Sequence, residues 1–377
     1  MLDREGQALR AELFELFARD IDEPLPDEEF TAFARRVFAY QYERNPAYAA
    51  YCRRRGILPE VVEHWSRIPA VPTAAFKEIA LVSGDPREVE AVFRTSGTTR
   101  GRERRGEHHM LDLSIYHGAL LPNFAAHLLP DGAEMPMLSL IPSVEEMVDS
   151  SLAHMVDVVM DRLGTDDSRS FATVALGIDY AGLDRALRMY EDEGTPVMIL
   201  GTSFAFVHWT DHIRERGKSY SLPAGSRIMD TGGFKGRSRE VPEAELRGAY
   251  GELLGISEDH VVNEYGMTEM GSQFYDNVLR DRHRRGTVRE RHKVVPPWVR
   301  TVPVDPETLE PVEPGAVGIL RHYDLANLGS VFAVQTEDLG REVEGGFVVL
   351  GRAGGAPPRG CSIAMDLLLQ AAEERRR

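Results

Sequence analysis

Cysteine, long apolar runs and net positive charge are all scarce in this sequence of 377 residues. Its two cysteines, Cys52 and Cys361, lie far apart, which excludes a disulfide framework and a cysteine-rich metal site. No apolar run reaches the ~20 residues that cross a bilayer. The N-terminal residues 1–20 predict a charged amphipathic helix without the apolar core of a signal peptide. These absences predict a cytoplasmic protein.

The charge balance is acidic, with 44 lysines and arginines against 60 aspartates and glutamates and a net charge of −16. Nucleic acids and anionic membranes attract basic surfaces, so we expect neither as a main partner. No HxxxH or HExxH spacing is interpreted as a zinc motif, and a zinc site is therefore not predicted. His108, His109 and His154 are interpreted as structural histidines.

The periodicity of apolar residues divides the chain into four predicted parts. Residues 1–87 carry apolar residues at three- and four-residue spacing, which predicts helices packed on the rest of the chain. Residues 88–295 alternate short β-rich runs with amphipathic helices, which predicts an α/β core with a substantial sheet. Closely spaced strands predict a small β-rich, more antiparallel subdomain over 296–360, and residues 361–377 predict a C-terminal helix.

The stretch FRTSGTTRGRERRGEHHM, residues 93–110, places hydroxyl side chains and glycines beside a basic cluster. Glycine lets several backbone N–H groups face one point and the hydroxyls add donors, so the loop has the chemistry of a phosphate cradle. It is not a P-loop, because GxxxxGK[ST] is absent. Taken alone, it is equally well explained as an exposed turn. The residues concerned are Thr95, Ser96, Gly97, Thr98, Thr99 and Gly101, with Arg100, Arg102, Arg104 and Arg105.

A second motif, NEYGMTE at 263–269, follows the predicted strand DHVV. We expect it to lie on a strand-to-helix turn at the end of a sheet, where ligands commonly bind. Tyr265 offers an aromatic face for a base, Thr268 a hydroxyl for a phosphate and Glu269 a carboxylate for Mg²⁺. This combination suits a nucleotide.

Two further motifs add polar groups after predicted strands. DTGGFKGR, residues 230–237, is a Gly-Gly turn with Lys235 and Arg237 nearby. Asp338, in QTEDLG, offers a carboxylate for paired ribose hydroxyls, and Arg352 follows in LGR. Together these motifs predict a nucleotide site built from several loops.

In this order, TSGTTRG, TGG, YGMTE, TEDLG and GR resemble the adenylate-forming superfamily of acyl-CoA ligases, luciferases and adenylation domains, over about residues 90–360. GTSFAFVHW, DTGGFKGR, NEYGMTEMGSQFYD and above all GRAGGAPPRGCS look most like the acyl-protein synthetases of the LuxE type. The phenylacetate-CoA ligase branch is a more distant likeness. The resemblance implies an α/β fold, the N-terminal domain of adenylate-forming enzymes with layered sheets and helices. It also implies ATP and Mg²⁺ as cofactors.

The resemblance implies a role for each matching residue. The hydroxyl and glycine loop would close on the β- and γ-phosphates of ATP, Thr268 would touch the α-phosphate, and Glu269 would bind Mg²⁺. Asp338 and Arg352 match the pair at the ribose. Turn formation and core packing are the alternatives for the glycines and Tyr265. The residues that would frame the adenine are Gly232, Gly233, Glu264, Tyr265 and Gly266.

Two departures from the family pattern concern positive charge. Related ligases end the phosphate loop with a lysine, where this sequence has arginines. The large relatives also carry a C-terminal domain with a catalytic lysine, and only 25 residues follow Arg352, so we expect that domain to be lacking. Our hypothesis is that Lys235 or the loop arginines supply the missing charge, since arginine also binds phosphate. A solvated surface lysine is the alternative for Lys235.

Cys361 lies in PPRGCSIAMDLLLQ, in a predicted loop at the start of a predicted helix. The helix N-terminus and Arg359 would favour its thiolate, which can attack acyl-AMP and hold the acyl group as a thioester. LuxE-type enzymes use a cysteine at the matching position and pass the acyl group to a partner reductase. Cys52 has no such context and is interpreted as a packing residue.

The sequence therefore predicts an ATP- and Mg²⁺-dependent enzyme that activates a carboxylic acid, by analogy a fatty acid. The acyl group would pass to Cys361 and then to an acyl-accepting protein, a reductase or a carrier protein. Two alternatives stay open. One is an acyl- or aryl-CoA ligase or free-standing adenylating enzyme that uses CoA, a carrier protein or an amine; the other is a non-catalytic nucleotide-binding module.

Overall fold

The computed structural model describes residues 2–96, 104–232, 241–353 and 364–370. The chain forms two compact units, each assembled from separate stretches of sequence. The first unit comprises Met1–Pro122, Met267–Ser272 and His292–Arg377, and the second comprises Asn123–Gly266 and Gln273–Arg291. The division into four parts drawn from periodicity remains a proposal.

Helices and strands follow one another along the chain in mixed order. The α-helices are α1 (Arg4–Phe17), α2 (Asp27–Arg44), α3 (Pro46–Arg54), α4 (Leu113–Leu128), α5 (Ser151–Leu163), α6 (Tyr180–Glu193), α7 (Ser203–Glu215), α8 (Glu243–Leu254) and α9 (Val278–Arg285). Residues 364–370 are also helical. Within the described residues, no helix has both the length and the apolar character needed to span a membrane.

The strands are short in the first two thirds of the chain and longer towards its end. They are β1 (Val71–Pro72), β2 (Ala91–Arg94), β3 (Glu107–Met110), β4 (Met137–Ser139), β5 (Arg169–Ser170), β6 (Ala172–Thr173), β7 (Gly177–Ile178), β8 (Met198–Thr202), β9 (Arg227–Thr231), β10 (Val261–Tyr265), β11 (Phe274–Tyr275), β12 (Lys293–Val294), β13 (Val299–Val304), β14 (Val317–Asp324), β15 (Ala333–Val343) and β16 (Gly346–Arg352).

The first unit begins with the helices that the sequence periodicity predicts. The Asp3 side chain caps α1 by accepting a hydrogen bond from the Gly6 N–H at 2.9 Å. Asn45 caps α3 in the same way, and Pro46 occupies the first helical position, where no N–H is needed. Apolar side chains on one face of each helix are buried, so these helices are held by packing as well as by their caps.

A mostly antiparallel sheet dominates the rest of the first unit. Its strand order is β12-β16-β15-β14-β13, and β1 adds a parallel pairing to β15. The antiparallel character predicted for this region is confirmed, and β15 runs for 11 residues. Strands β1 and β12 of this sheet lie outside residues 296–360. Their pairing with β15 and β16 satisfies backbone N–H and C=O groups of those strands.

The second unit is the α/β layer that the alternating pattern predicts. Its sheet has the order β11-β10-β9-β8-β4-β5, with parallel pairs throughout except for β11. The central strands β8 and β9 are buried almost continuously, as expected for parallel strands covered by helices. Side chains of the helices and the sheet form one apolar core, which includes Leu183, Leu187, Ile199, Phe206, Ile228 and Leu253.

Candidate functional site

The predicted phosphate loop connects the two strands of a hairpin. β2 and β3 pair antiparallel, with Arg94 opposite Glu107. At the base of the loop, the Thr95 N–H donates to the Gly106 carbonyl at 2.9 Å, and the Gly106 N–H donates to Thr95 Oγ1, also at 2.9 Å. The loop therefore leaves and re-enters a fixed ribbon. Gly97, Thr98, Thr99 and Gly101 lie outside the described residues, whereas Thr95 and Ser96 lie within them.

The guanidinium of Arg105 holds the base of this loop. Its Nε donates to the Thr95 carbonyl at 2.6 Å and its terminal nitrogen donates to the Arg94 carbonyl at 3.1 Å. These bonds join the two sides of the hairpin, so the structure gives Arg105 a positioning role. Arg104 is exposed, and Arg100 and Arg102 lie outside the described part of the chain.

In the second unit, strands β9 and β10 carry several of the residues predicted to frame the adenine. Glu264 lies opposite Thr231 in this parallel pair, and the Thr231 hydroxyl donates to the Glu264 carboxylate. Gly232 follows β9 with a φ of +73°, a conformation that favours glycine. Its carbonyl accepts a hydrogen bond from the Ser203 hydroxyl at 2.9 Å. The structure thus places Gly232 and Glu264 together at the C-terminal ends of the neighbouring strands β9 and β10. Gly233, Lys235 and Arg237 lie outside the described residues.

Gly266 follows β10 at a position where a side chain would have to displace a buried carboxylate. A Cβ there would overlap the carboxylate of Glu264, which itself is buried. The glycine therefore lets the chain leave the strand beside a buried charge. This close approach accounts for the glycine without any contact to a nucleotide.

Tyr265 ends β10 and packs against the neighbouring strand. Its ring centroid lies 5.9 Å from that of Phe274, at an angle of 39° between the planes. The residue is half-buried, so its ring has both a packed side and an accessible part. The structure therefore places Tyr265 at the predicted C-terminal end of its strand and also shows that its ring contributes to packing.

The prediction of a strand-to-helix turn after β10 is wrong. Residues 266–273 form a turn, and the chain continues into the short antiparallel strand β11. The backbone groups of Thr268, Glu269 and Gly271 form hydrogen bonds with side chains from distant parts of the chain. A helix would need those N–H and C=O groups for its own turns.

Two side chains of the first unit hold the backbone at Thr268 and Glu269. Nδ1 of His108 lies 2.7 Å from the Thr268 carbonyl oxygen, and Nδ2 of Asn327 donates to the Glu269 carbonyl at 2.9 Å. Glu269 is buried, with 7% of its surface exposed. Consecutive carbonyl groups are therefore bonded to two different segments, which fixes the peptide planes that carry the two predicted ligand residues.

Asp324 holds the end of the same turn. Its carboxylate accepts hydrogen bonds from the Gly271 N–H at 3.1 Å and the Ser272 hydroxyl at 2.8 Å. The Trp298 indole N–H also donates to the Ser272 hydroxyl, at 3.0 Å. Asp324 is fully buried, and this burial raises the pKa of its carboxyl to about 6.

These supporting residues are absent from the sequence prediction. Asp324 and Asn327 occur in HYDLANLGS, which gives only the pattern of a connection between two strands. For His108 the sequence predicts only a structural role. Their partners are distant in the chain, His108 and Thr268 being 160 residues apart, and local spacing carries no signal for such pairs. The sequence signal that could have indicated these residues is the occurrence of polar residues within a largely apolar stretch.

Asp338 and Arg352 face each other across β15 and β16. They form a register pair, and Arg352 Nε lies 3.3 Å from an Asp338 carboxylate oxygen. The Arg352 side chain is 68% exposed and the Asp338 side chain 15%. The structure therefore brings the predicted ribose pair together, with the guanidinium largely in solvent.

The structure describes one of the two cysteines. Cys52 is buried in α3, and burial raises the pKa of its thiol to about 12, in agreement with its interpretation as a packing residue. Cys361 and Arg359 lie outside the described residues. Among the described residues, no three histidine, cysteine, aspartate or glutamate side chains cluster so as to hold a metal ion by themselves.

A single carboxylate is nevertheless compatible with Mg²⁺ in a nucleotide site. Mg²⁺ is usually held there by one or two carboxylates together with phosphate oxygens and water, rather than by a protein cage. Glu269 supplies oxygen ligands of the right type on a backbone fixed by Asn327. The residues present therefore fit the metal that the nucleotide would bring.

The family model described as acyl-protein synthetase, LuxE, matches residues 171–369, more than half of the chain. The chain belongs to the LuxE family. Two relatives are named long-chain-fatty-acid–luciferin-component ligase. The protein from Vibrio harveyi is 24% identical, with 88% of this chain and 85% of the relative covered, and that from Aliivibrio fischeri is 22% identical, with 81% and 77% covered.

Solved structures show the fold of this LuxE-family chain. The open conformation of 2-hydroxyisobutyryl-CoA ligase, in complex with 2-HIB-AMP and CoA, superposes with a TM-score of 0.60 at 15% identity, covering 86% of this chain and 69% of the ligase. An ATP-bound RpMatB-BxBclM chimera superposes with a TM-score of 0.50 at 17% identity, covering 71% and 49%. The adenylate-forming fold predicted from the motifs is confirmed.

Membership of the LuxE family makes this protein an ATP-dependent acid ligase, which confirms the predicted enzyme class. Its substrate class is a carboxylic acid. The same findings favour an enzyme over a non-catalytic nucleotide-binding module.

Proposed function

We propose that this LuxE-family protein joins a long-chain fatty acid to AMP and then transfers the acyl group to its own Cys361. The observation that carries the proposal is the extent of the family match. Residues 171–369 include the Gly-Gly turn, the YGMTE motif, the ribose pair and Cys361. The names of the two relatives, both ligases of long-chain fatty acids, support the choice of acid.

The proposed reaction has two steps. A carboxylate oxygen of the acid attacks the α-phosphorus of ATP, the bond from that phosphorus to the bridging oxygen breaks, and pyrophosphate leaves. The thiolate of Cys361 then attacks the acyl carbon, and AMP departs with the electron pair of the broken C–O bond. A mixed anhydride makes the second step feasible, because AMP is a far better leaving group than oxide.

We propose that residues of several motifs bind the nucleotide. Gly232, Gly233, Glu264, Tyr265 and Gly266 would frame the adenine; the pairing of β9 with β10 supports this assignment. Asp338 and Arg352 would hold the ribose. Their cross-strand pairing supports a shared task. The phosphate loop would comprise Thr95, Ser96, Gly97, Thr98, Thr99 and Gly101.

Charge neutralisation is the main demand of the first step, since both reactants are anionic. Thr268 would contact the α-phosphate and Glu269 would bind Mg²⁺, which would offset phosphate charge when bound. The fixed backbone of their turn would hold both side chains in place before ATP arrives. Lys235 or the loop arginines other than Arg105 would supply further positive charge.

We also propose that the thioester is an intermediate. The acyl group would pass from Cys361 to an acyl-accepting protein, a reductase or a carrier protein. A chain with one reactive thiol can act as such a donor, because a thioester is readily attacked by a second nucleophile. The buried Cys52, with its raised pKa, would not compete for the acyl group.

Intact-protein mass after incubation with ATP, Mg²⁺ and acids from acetate to palmitate tests the proposal. We expect a mass gain of one acyl group with the long-chain acids, which hydroxylamine removes and Cys361→Ser lacks. Cys52→Ala is the matched control and should still be acylated. EDTA or Glu269→Gln should abolish both pyrophosphate release and acylation, and Lys235→Ala should slow both.

Other outcomes have definite meanings. Pyrophosphate release without a mass gain would replace self-acylation by transfer to CoA, a carrier protein or an amine. Acylation that persists in Cys361→Ser would show that another residue accepts the acyl group. If no acid gives pyrophosphate or a mass gain, the adenylation proposal is wrong.

A further inference from the structure

His108 is a buried histidine next to the hairpin that carries the phosphate loop. It lies in β3, two residues after Gly106, and 2% of its surface is exposed. Its ring packs edge-on against Phe76, with centroids 5.8 Å apart. Its Nδ1 lies 2.7 Å from the carbonyl oxygen of Thr268, far away in the sequence. The side chain thus links two segments that the sequence pattern treats as separate.

The hydrogen bond to the Thr268 carbonyl requires the tautomer of His108 that is protonated at Nδ1. A carbonyl oxygen only accepts, so Nδ1 of His108 must carry the hydrogen. Burial lowers the pKa of His108 to about 4, which keeps the ring neutral near neutral pH. The donor is therefore present throughout the range in which the enzyme would be assayed.

The contact joins the two predicted phosphate-binding segments within the first unit. On one side, β3 is paired residue by residue with β2, and Thr95, Gly106 and Arg105 tie the loop base together. On the other side, the Thr268 carbonyl belongs to the turn that carries the proposed α-phosphate and metal contacts. A displacement of either segment must stretch or break the His108 bond.

We propose that His108 is a positioning residue for the adenylation step. It holds the turn of Thr268 and Glu269 against the hairpin that forms the base of the phosphate loop, so that turn and hairpin keep one arrangement when the triphosphate binds. The proposal rests on the function proposed above. Asp324, at the end of β14, and Asn327, just after it, hold the same turn, and His108 links it to the hairpin.

Two substitutions separate the hydrogen bond from the packing. His108→Phe keeps an aromatic ring against Phe76 but has no donor, whereas His108→Asn keeps a donor, since Asn Nδ2 branches from Cγ as His Nδ1 does. Acid-dependent ATP–pyrophosphate exchange gives the KM for ATP, the KM for the acid and kcat. We expect His108→Phe to lower kcat/KM for ATP about tenfold at an unchanged KM for the acid. His108→Asn should recover to within about twofold of wild type.

His127→Phe is the matched control. His127 is another fully buried histidine whose Nδ1 bonds a backbone carbonyl, that of Asn123 at 2.8 Å, within helix α4. His127→Phe also removes the contact of Nε2 with the Arg280 guanidinium at 3.1 Å, so it should lower the thermal midpoint, without a selective change in the KM for ATP. The control therefore measures the general effect of removing the polar contacts of a buried histidine.

The outcomes distinguish this inference from the proposed function. Wild-type exchange with an unchanged kcat/KM for ATP in His108→Phe would overturn the positioning role alone. So would an active His108→Phe beside an inactive His108→Asn, which would assign the effect to packing. A rise in the KM for ATP in His127→Phe equal to that in His108→Phe would do the same. No exchange in wild type with any acid would overturn the proposed function and this inference together.

Discussion

At Gly266 the absence of a side chain is what lets the chain turn beside a buried carboxylate. Glu264 accepts the Thr231 hydroxyl bond and fills the space that a Cβ would need. Interiors are close-packed, so even one methyl group must displace its neighbour. In the YGMTE motif this glycine therefore has a steric reason at residue level, independent of any contact with a nucleotide.

Gly266→Ala should lower the free energy of unfolding by about 1–3 kcal/mol, the usual range for overpacking. Gly248→Ala is the matched control, because a Cβ at this position in helix α8 meets nothing within 4 Å. There alanine should stabilise by about 0.5–1 kcal/mol, because it favours the helix. Urea unfolding of both variants measures the difference. Equal stability of the two variants would refute the steric reason.

The β2–β3 hairpin shows how a short element can present a glycine-rich loop. Hydrogen bonds of Thr95, Gly106 and Arg105 close the loop base, and strand pairing continues them away from the loop. A two-stranded ribbon is only marginally stable by itself. The side-chain bonds of Thr95 and Arg105 therefore strengthen the element at the place where its own pairing ends.

Thr95→Val removes the hydroxyl that accepts the Gly106 N–H and keeps the shape of the side chain. We expect amide exchange at Gly106 to accelerate without ATP, by about fivefold, since the lost bond contributes about 1 kcal/mol. We also expect the KM for ATP to rise several-fold. Thr95→Ser keeps the hydroxyl and should resemble wild type in both measurements. If Thr95→Ser and Thr95→Val behave alike, the hydroxyl does not hold the loop base.

For the whole molecule, the buried carboxyl of Asp324 makes the free energy of unfolding depend on pH. The carboxyl is fully buried, and its pKa is raised to about 6, whereas an unfolded aspartate titrates near 3.9. Between these pH values the folded state binds more protons than the unfolded state. By linkage, the contribution of Asp324 to the free energy of unfolding falls as the pH rises from about 4 to about 6, and is constant above that.

Asp324→Asn removes this titration. The free energy of unfolding of wild type relative to Asp324→Asn should therefore fall by up to about 3 kcal/mol between about pH 4 and about pH 6.5. Urea unfolding of both proteins across this window gives the difference. Asparagine also changes the bond to the Gly271 N–H, but that effect does not depend on pH. A difference that stays constant across the window would contradict the raised pKa.

Much of the fold can be predicted from local signals. Helix α6 is an example: Asp179 caps its start, Gly194 ends it with φ +70°, and apolar residues on one face are buried. The β-rich runs that end at residues 202, 231 and 265 are likewise strands of one sheet. Capping, turn chemistry and periodicity act within a few residues, so they can be read from the sequence directly.

The candidate site could be predicted only in part. Its motifs predict roles for Thr268, Glu269, Asp338 and Arg352, and the last two lie together in the structure. The turn after β10 was predicted wrongly, because its backbone bonds to remote side chains instead of forming a helix. A hydrogen bond between residues far apart in the chain leaves no periodic trace in either segment.

By itself, the sequence determined the enzyme family, the order of the nucleotide motifs and most helices and strands, because each depends on residues close together in the chain. Only the tertiary structure decided which side chains hold those motifs. Burial made His108 a neutral donor and Asp324 a carboxyl with a raised pKa, and folding brought both to one turn. Both effects arise from neighbours that are remote in sequence, since burial and hydrogen bonding depend on three-dimensional surroundings.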